Sequence, residues 1–188
     1  MELKPFFVDV ETLGLDPLES RLIAIGYDYN GSSKVIIGED ERKVIENFLK
    51  VFNDCNDIVL IGYNIIGFDL PFLIARGLKH GIHEIQKLRT TYVIDLMDVV
   101  SRYLTTSKRK WVKQKEICSF LGMDTRDVID GSEIPRLFEQ GEFETIKQHC
   151  LNDLRLTKEL FSRLKDLVKH RLMAKYGFYQ RGEDIVLL

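Results

Sequence analysis

Residues 6–17 read FFVDVETLGLDP, and the alternation inside this stretch is that of a β-strand. Successive side chains of a strand point to opposite faces, so Asp9 and Glu11 project together while Val8 and Val10 face the core. Two like charges side by side are unfavourable, and a divalent cation would offset their repulsion. The alternative is a solvated strand edge carrying two exposed acids. This stretch alone leaves both readings open.

Outward from it, residues 22–29 and 34–37 read as further strands, with Asn30-Gly31 as the hairpin turn between them. Residues 41–52 place Val44, Ile45, Phe48, Leu49 and Phe52 at helical spacing. Residues 58–61 are a short apolar run suited to a buried strand, and residues 92–94 form another. Residues 113–121 and 142–170 carry apolar positions at i, i+3 and i+4. Strands followed by alternating helix and strand, closing on a long helix, predict a mixed α/β domain. From Arg171 onward the pattern is lost, and residues 185–188 fit a last strand, a docking segment or a frayed end.

Bulk properties narrow the function classes. A chain of 188 residues, 45% hydrophobic and 30% charged, can bury the core of a globular enzyme and is expected to form a single domain over 1–188. No apolar run approaches the ~20 residues of a membrane helix, and the acidic N-terminus lacks the apolar stretch of a signal peptide. A cytoplasmic location is therefore expected. The net charge of −2 gives no global attraction for nucleic acid, so phosphate binding would need a local basic patch or bound metal. Cys55, Cys118 and Cys150 form no CxxC pair and read as small buried residues rather than nucleophiles or zinc ligands.

Two further stretches carry chemistry. In GYNIIGFDLPFL (residues 62–73), Asp69 follows a loop containing Asn64, Gly67 and Phe68 and stands two residues before Pro71, the position of a helix-capping aspartate. The amide, the permissive glycine and the aromatic face beside it also suit the end of a nucleotide chain. In IKQHCLNDLRLT (residues 146–157), His149 and Asp153 lie one helical turn apart on one face, beside the apolar Ile146, Cys150 and Leu154. By itself such a pair is more often a surface hydrogen bond than a catalytic unit.

In this order and spacing, VDVETLGL, NIIGFDLPFL and HCLND resemble the three motifs of the DEDD superfamily of 3′–5′ exonucleases. The second motif looks most like the proofreading domain of family-B DNA polymerases. The resemblance covers roughly residues 5–165 and includes the Asp95-Leu96 pair; a free-standing exonuclease domain is expected, since no polymerase palm or fingers fits in the remainder. It implies a ribonuclease H-like fold with a mixed central β-sheet flanked by α-helices. It also implies that Asp9, Glu11, Asp69 and Asp153 ligate two divalent cations, Mg²⁺ or Mn²⁺, as hard oxygen donors suit. Thr12 and Leu13 would lie at the terminal nucleotide, with Asn64 and Phe68 at the penultimate one. Members of the superfamily carry as general base a tyrosine four positions before the last Asp or a histidine five before it. Here His149 occupies the tyrosine's register, rotated by about a quarter turn, while Gln148 stands in the histidine's. His149 is then the base or a residue that positions the water.

The implied reaction removes nucleoside 5′-monophosphates from 3′ ends, with single-stranded DNA as the expected substrate. An RNA-trimming enzyme and a non-catalytic nucleic-acid-binding relic are the alternatives. The run SKRKWVKQK (residues 107–115) would either follow phosphates and stack a base, or form a solvated loop anchored by a buried Trp111. DNA repair is the process such an activity would serve.

Overall fold

The computed structural model describes residues 2–106, 111–169, 174–175 and 186–187. Strand β1 (Glu2–Thr12) runs through the middle of the sheet. On one side it pairs antiparallel with β2 (Leu22–Tyr29), which pairs antiparallel with β3 (Ser32–Ile37). On the other side β4 (Ile58–Gly62) and β5 (Tyr92–Asp95) run parallel to it. The central order is therefore β3-β2-β1-β4-β5, mixed as expected. Two short pairings extend it: β6 (Ala174–Lys175) on β5, and β7 (Val186–Leu187) on Glu2–Leu3 of β1. A short strand is thus what the described part of residues 185–188 forms. The rest of the tail, His170, and Lys108, Arg109 and Lys110 of the basic run lie outside the described residues.

Local chemistry explains the elements. Asn30 and Gly31 both hold positive φ, 53° and 79°, as the tight hairpin between β2 and β3 requires. Helix α1 (Glu41–Asn53) starts where the Asp40 carboxylate accepts the Lys43 N–H at 3.2 Å, and it buries the five predicted apolar residues. Helix α2 (Asp69–Lys79) departs from expectation: its N-cap is Phe68, and Asp69 is the first helical residue, its side chain used elsewhere. Helices α3 (Leu96–Tyr103), α4 (Gln114–Phe120), α5 (Ile134–Glu139) and α6 (Phe143–Lys169) complete the layers. Sequence periodicity did not reveal α5 or the 3-10 segment His83–Thr90; both are too short to show a repeating face.

The parity of β1 divides the core in two. Phe6, Val8 and Val10 pack with Val44, Phe48 and Leu73 under α1 and α2. Phe7 turns to the other face, where its ring meets Phe161 of α6 edge-on at 5.6 Å. Asp9 and Glu11 continue the face of Phe7, toward α6. That helix approaches closely at one point: a Cβ on Gly26, opposite Asp9, would stand 2.4 Å from Cys150 Sγ and 2.9 Å from Leu154 Cδ1. Lys158 Nζ, 2.6 Å from the buried Asp28 carboxylate, fastens α6 to β2 further along.

A buried ion cluster joins the first helical layer. Glu41 accepts the Leu22 N–H at 2.7 Å and two hydrogen bonds from Arg76, at 2.8 and 2.7 Å, and contacts His80 Nε2 at 2.7 Å. Arg76 also donates to the Pro17 carbonyl at 3.2 Å, tying α2 to the segment that follows β1. Arg76 and Glu41 are both buried, so removing one partner strands the other charge. Arg76→Met should lower unfolding stability by about 3–5 kcal/mol, and adding Glu41→Gln should recover part of the loss. Urea titration checks this; a single variant that unfolds at the wild-type midpoint would contradict it.

Candidate active site

The site forms at the carboxyl ends of the parallel strands β1, β4 and β5, where α6 crosses. Each of its acids arrives by a different local device. Asp9 and Glu11 come from the last turns of the β1 pleat, just before the register of the β1–β2 pair shifts at Glu11/Thr12. Asp69 comes from the first turn of α2, and its Oδ1 accepts the Val10 N–H at 3.0 Å. One carboxylate therefore fixes the start of α2 to the strand that carries the other two. Asp153 comes from α6, where Gln114 Nε2 holds its carbonyl at 3.2 Å and also bonds Thr157 Oγ1 at 2.7 Å.

The loop between β4 and α2 is shaped from behind by Asp95. This buried residue caps α3 through the Met97 N–H and accepts the Asn64 and Ile66 N–H groups at 2.9 and 3.1 Å. Asn64 sits at φ 59°, a left-handed conformation that asparagine tolerates. A Cβ at Gly67 would stand 2.4 Å from Asn64 Oδ1, so a side chain there would displace the Asn64 amide. The Asp95-Leu96 pair is thus a support for the loop, and burial raises the Asp95 carboxyl pKa against these backbone donors.

Ligand-type atoms of Glu11, His149 and Asp153 lie within 4.8 Å of one another, as do those of Asp9, Glu11 and Cys150. Asp69 belongs to neither triplet, although its charge reaches Asp9 and Glu11. Burial, then mutual repulsion, pushes Asp9 and Glu11 well above the ordinary carboxylate range. Burial raises Asp69 to about 7 despite its backbone hydrogen bonds. Asp153 is raised by burial and partly relieved by His149 and Lys115. Glu11 Oε1 and Asp153 Oδ1 are buried with no hydrogen-bond partner. Orphaned carboxylate oxygens, clustered and repelling, are what a hard divalent cation would satisfy, so the donor set fits such an ion.

His149 is buried, with Nε2 3.5 Å from Asp153 Oδ2 and 3.9 Å from Glu11 Oε1. Gln148 points away, bonding Glu144 at 3.1 Å on the exposed side of α6. Thr12 Oγ1 donates to the Gly14 carbonyl at 2.6 Å. Leu13 is half-buried against Ile23, Ile134, Leu137 and Ile146, while Leu15 and Leu18 of the same loop are exposed. Phe68 is half-buried against Phe72, ring centroids 4.9 Å apart. Trp111 is no buried anchor: it is 60% exposed, and Val112 is the residue buried in its place, with its carbonyl accepting from Tyr63 Oη at 2.6 Å.

Two features escaped the sequence. Cys150 is buried as expected, yet its Sγ lies 3.7 Å from Asp9 Oδ2 and so borders the acids. Asp127, in the loop between α4 and α5, contacts His149 Nδ1 at 2.8 Å and Lys115 Nζ at 2.7 Å. No periodicity links a loop aspartate to a histidine 22 residues later, so only the fold shows the pair.

Comparison with known proteins places this geometry. An uncharacterized protein of Methanocaldococcus jannaschii is 33% identical over 85% of this chain and 94% of its own length. A DNA polymerase of Archaeoglobus fulgidus is 27% identical over 89% of this chain, which spans 24% of the polymerase. The family B DNA polymerase of Pyrobaculum calidifontis matches in structure with a TM-score of 0.72 at 21% identity, over 87% of this chain and 24% of the polymerase. A family model of the RNase H superfamily matches residues 6–165. The chain belongs to the RNase H superfamily, as a DEDD-type relative of the exonuclease region of family-B DNA polymerases.

Proposed function

We propose that this protein is a metal-dependent 3′–5′ exonuclease that removes nucleoside 5′-monophosphates from single-stranded DNA. The observation that carries the reading is a cluster of acids from distant parts of the chain. Asp9 and Asp153 each meet Glu11 at ligand distances, and Asp69 lies within electrostatic reach of Asp9 and Glu11. Glu11 Oε1 and Asp153 Oδ1 are buried with no hydrogen-bond partner. A relic that only bound nucleic acid would have no chemical use for so costly a cluster. Kinship with the exonuclease region of DNA polymerases supports the 3′ polarity and favours DNA over RNA.

In this reading Asp9, Glu11, Asp69 and Asp153 hold two divalent ions, Mg²⁺ or Mn²⁺. Such ions, when bound, activate water and stabilise the leaving 3′ oxygen. His149 Nε2, facing Glu11 and Asp153, takes the proton of the attacking water. Thr12 and Leu13 border the terminal nucleotide, and Asn64 and Phe68 the one before it. Asp95 acts at a distance, holding Asn64 in place.

Digestion of 5′-labelled single-stranded DNA should give a ladder shortening from the 3′ end with Mn²⁺ or Mg²⁺, none with EDTA, and background only with Asp9→Ala. His149→Ala should lose ~10²–10⁴-fold in rate. The same assay on RNA separates the exoribonuclease alternative, and an inactive wild type on both polymers would overturn the enzyme.

Stability should report the same acids. Without metal, a carboxylate whose folded pKa is raised binds more protons folded than unfolded, so stability falls as pH rises. For Asp69 that window runs from the ordinary carboxylate range up to about 7. In EDTA the melting temperature should therefore climb on acidification below neutrality. Above neutrality, added Mn²⁺ should restore about 2.7 kcal/mol at a hundredfold excess over its dissociation constant. A midpoint indifferent to Mn²⁺ would count against ligation by these acids.

A further inference from the structure

We propose that Asp127 is a positioning residue for His149: its carboxylate holds the proton on Nδ1 and so directs the free Nε2 into the acidic site. The inference rests on the exonuclease reading and adds a group outside the four acids. A carboxylate accepts hydrogen bonds and, when ionised, donates none. At 2.8 Å from Asp127 Oδ2, Nδ1 must carry its hydrogen, because two lone pairs at that distance would repel. In the neutral ring this leaves Nε2 as the acceptor, and Nε2 is the nitrogen that faces Glu11 and Asp153.

Asp127 is itself held on every side. Its Oδ1 accepts the Val128 N–H at 2.7 Å, and its Oδ2 is also bound by Lys115 Nζ at 2.7 Å. Burial opposes its charge, but Lys115, His149 and the Val128 N–H outweigh burial and keep it below the ordinary carboxylate range. The loop around it is fixed at both ends. Arg155 of α6 donates to the Asp124 carbonyl at 2.7 Å, and Asp130 forms a capping box with Glu133. A Cβ at Gly131 would stand 3.5 Å from His149 Nε2, so this backbone borders the Nε2 edge of the ring. His149 therefore sits in a slot cut by the α4–α5 loop, and the carboxylate at its rear sets the orientation. This accounts for a histidine working at the register of the superfamily's tyrosine: the ring is steered by a partner from another loop.

The test uses the whole chain and two independent readouts. Two-bond ¹H–¹⁵N correlation spectra of the metal-free protein at mildly alkaline pH report which ring nitrogen is protonated; the His149 signals are those missing in His149→Gln. Nδ1 should be protonated in the wild type, and Asp127→Asn should shift the population toward the Nε2–H form. In the digestion assay Asp127→Asn should lose roughly 10–100-fold in kcat with KM little changed. Glu139→Gln, at an exposed acid at the end of α5, should keep the wild-type rate. An unprotonated Nδ1 in the wild type overturns the inference, whether or not the variant folds. So does an Asp127→Asn protein with unchanged kcat and tautomer. A wild type that cuts neither DNA nor RNA defeats the exonuclease reading instead, while the spectra still decide the ring.

Discussion

Several carboxylates packed into one low-dielectric pocket cannot all remain anions unless a cation joins them, and the geometry of this protein is organised around that constraint. Asp9 and Glu11 are driven upward in pKa by burial and then by the neighbouring carboxylates: Glu11, Asp153 and Asp69 act on Asp9, and Asp153, Asp69 and Asp127 on Glu11. Lys115 supplies too little positive charge to cancel the cluster. The fold holds the repelling groups together by other means: a strand in the middle of the sheet, a helix start hydrogen-bonded to that strand, and a long helix locked across it. The electrostatic cost concentrates where an ion would relieve it.

The supporting contacts are as specific as the acids. Gly26 lets α6 come down onto β2, and a side chain there would collide with Cys150 and Leu154, one helical turn around Asp153. Asp95 holds the Asn64 loop, and Gln114 holds the backbone of Asp153. The Glu41–Arg76 pair reaches the carbonyl of Pro17, so the segment leaving β1 is braced from the far layer. These contacts let a small sheet present charges at fixed spacing on its carboxyl edge.

Much of this was legible in the sequence, for a physical reason. The period of two in residues 6–11 assigns each side chain of β1 to a face, and the structure keeps that assignment. The four-residue step from His149 to Asp153 survives because a helix is rigid over one turn. What failed was local reasoning applied to long-range contacts. Asp69 has the sequence context of a cap, but the Val10 N–H, 59 residues away, claims its carboxylate. Trp111 has the composition of an anchor, yet its neighbour Val112 takes the buried place. Asp127 carries no spacing signal, since its partners come from α4 and α6 through a loop without periodicity. Residues placed by an element's own repeat can be read in advance; those placed by two elements meeting cannot.

Counting bound Mn²⁺ by electron paramagnetic resonance, at neutral pH and without substrate, tests the central claim most directly. Free Mn²⁺ gives a sharp signal that binding broadens away, so a titration yields both stoichiometry and affinity. The account predicts saturable binding of two ions per chain, lost or sharply weakened in Asp9→Asn and in Asp153→Asn, with both variants still folded. A wild type that leaves the free signal intact, or carboxamide variants that bind as the wild type does, would show that the cluster is not a metal site.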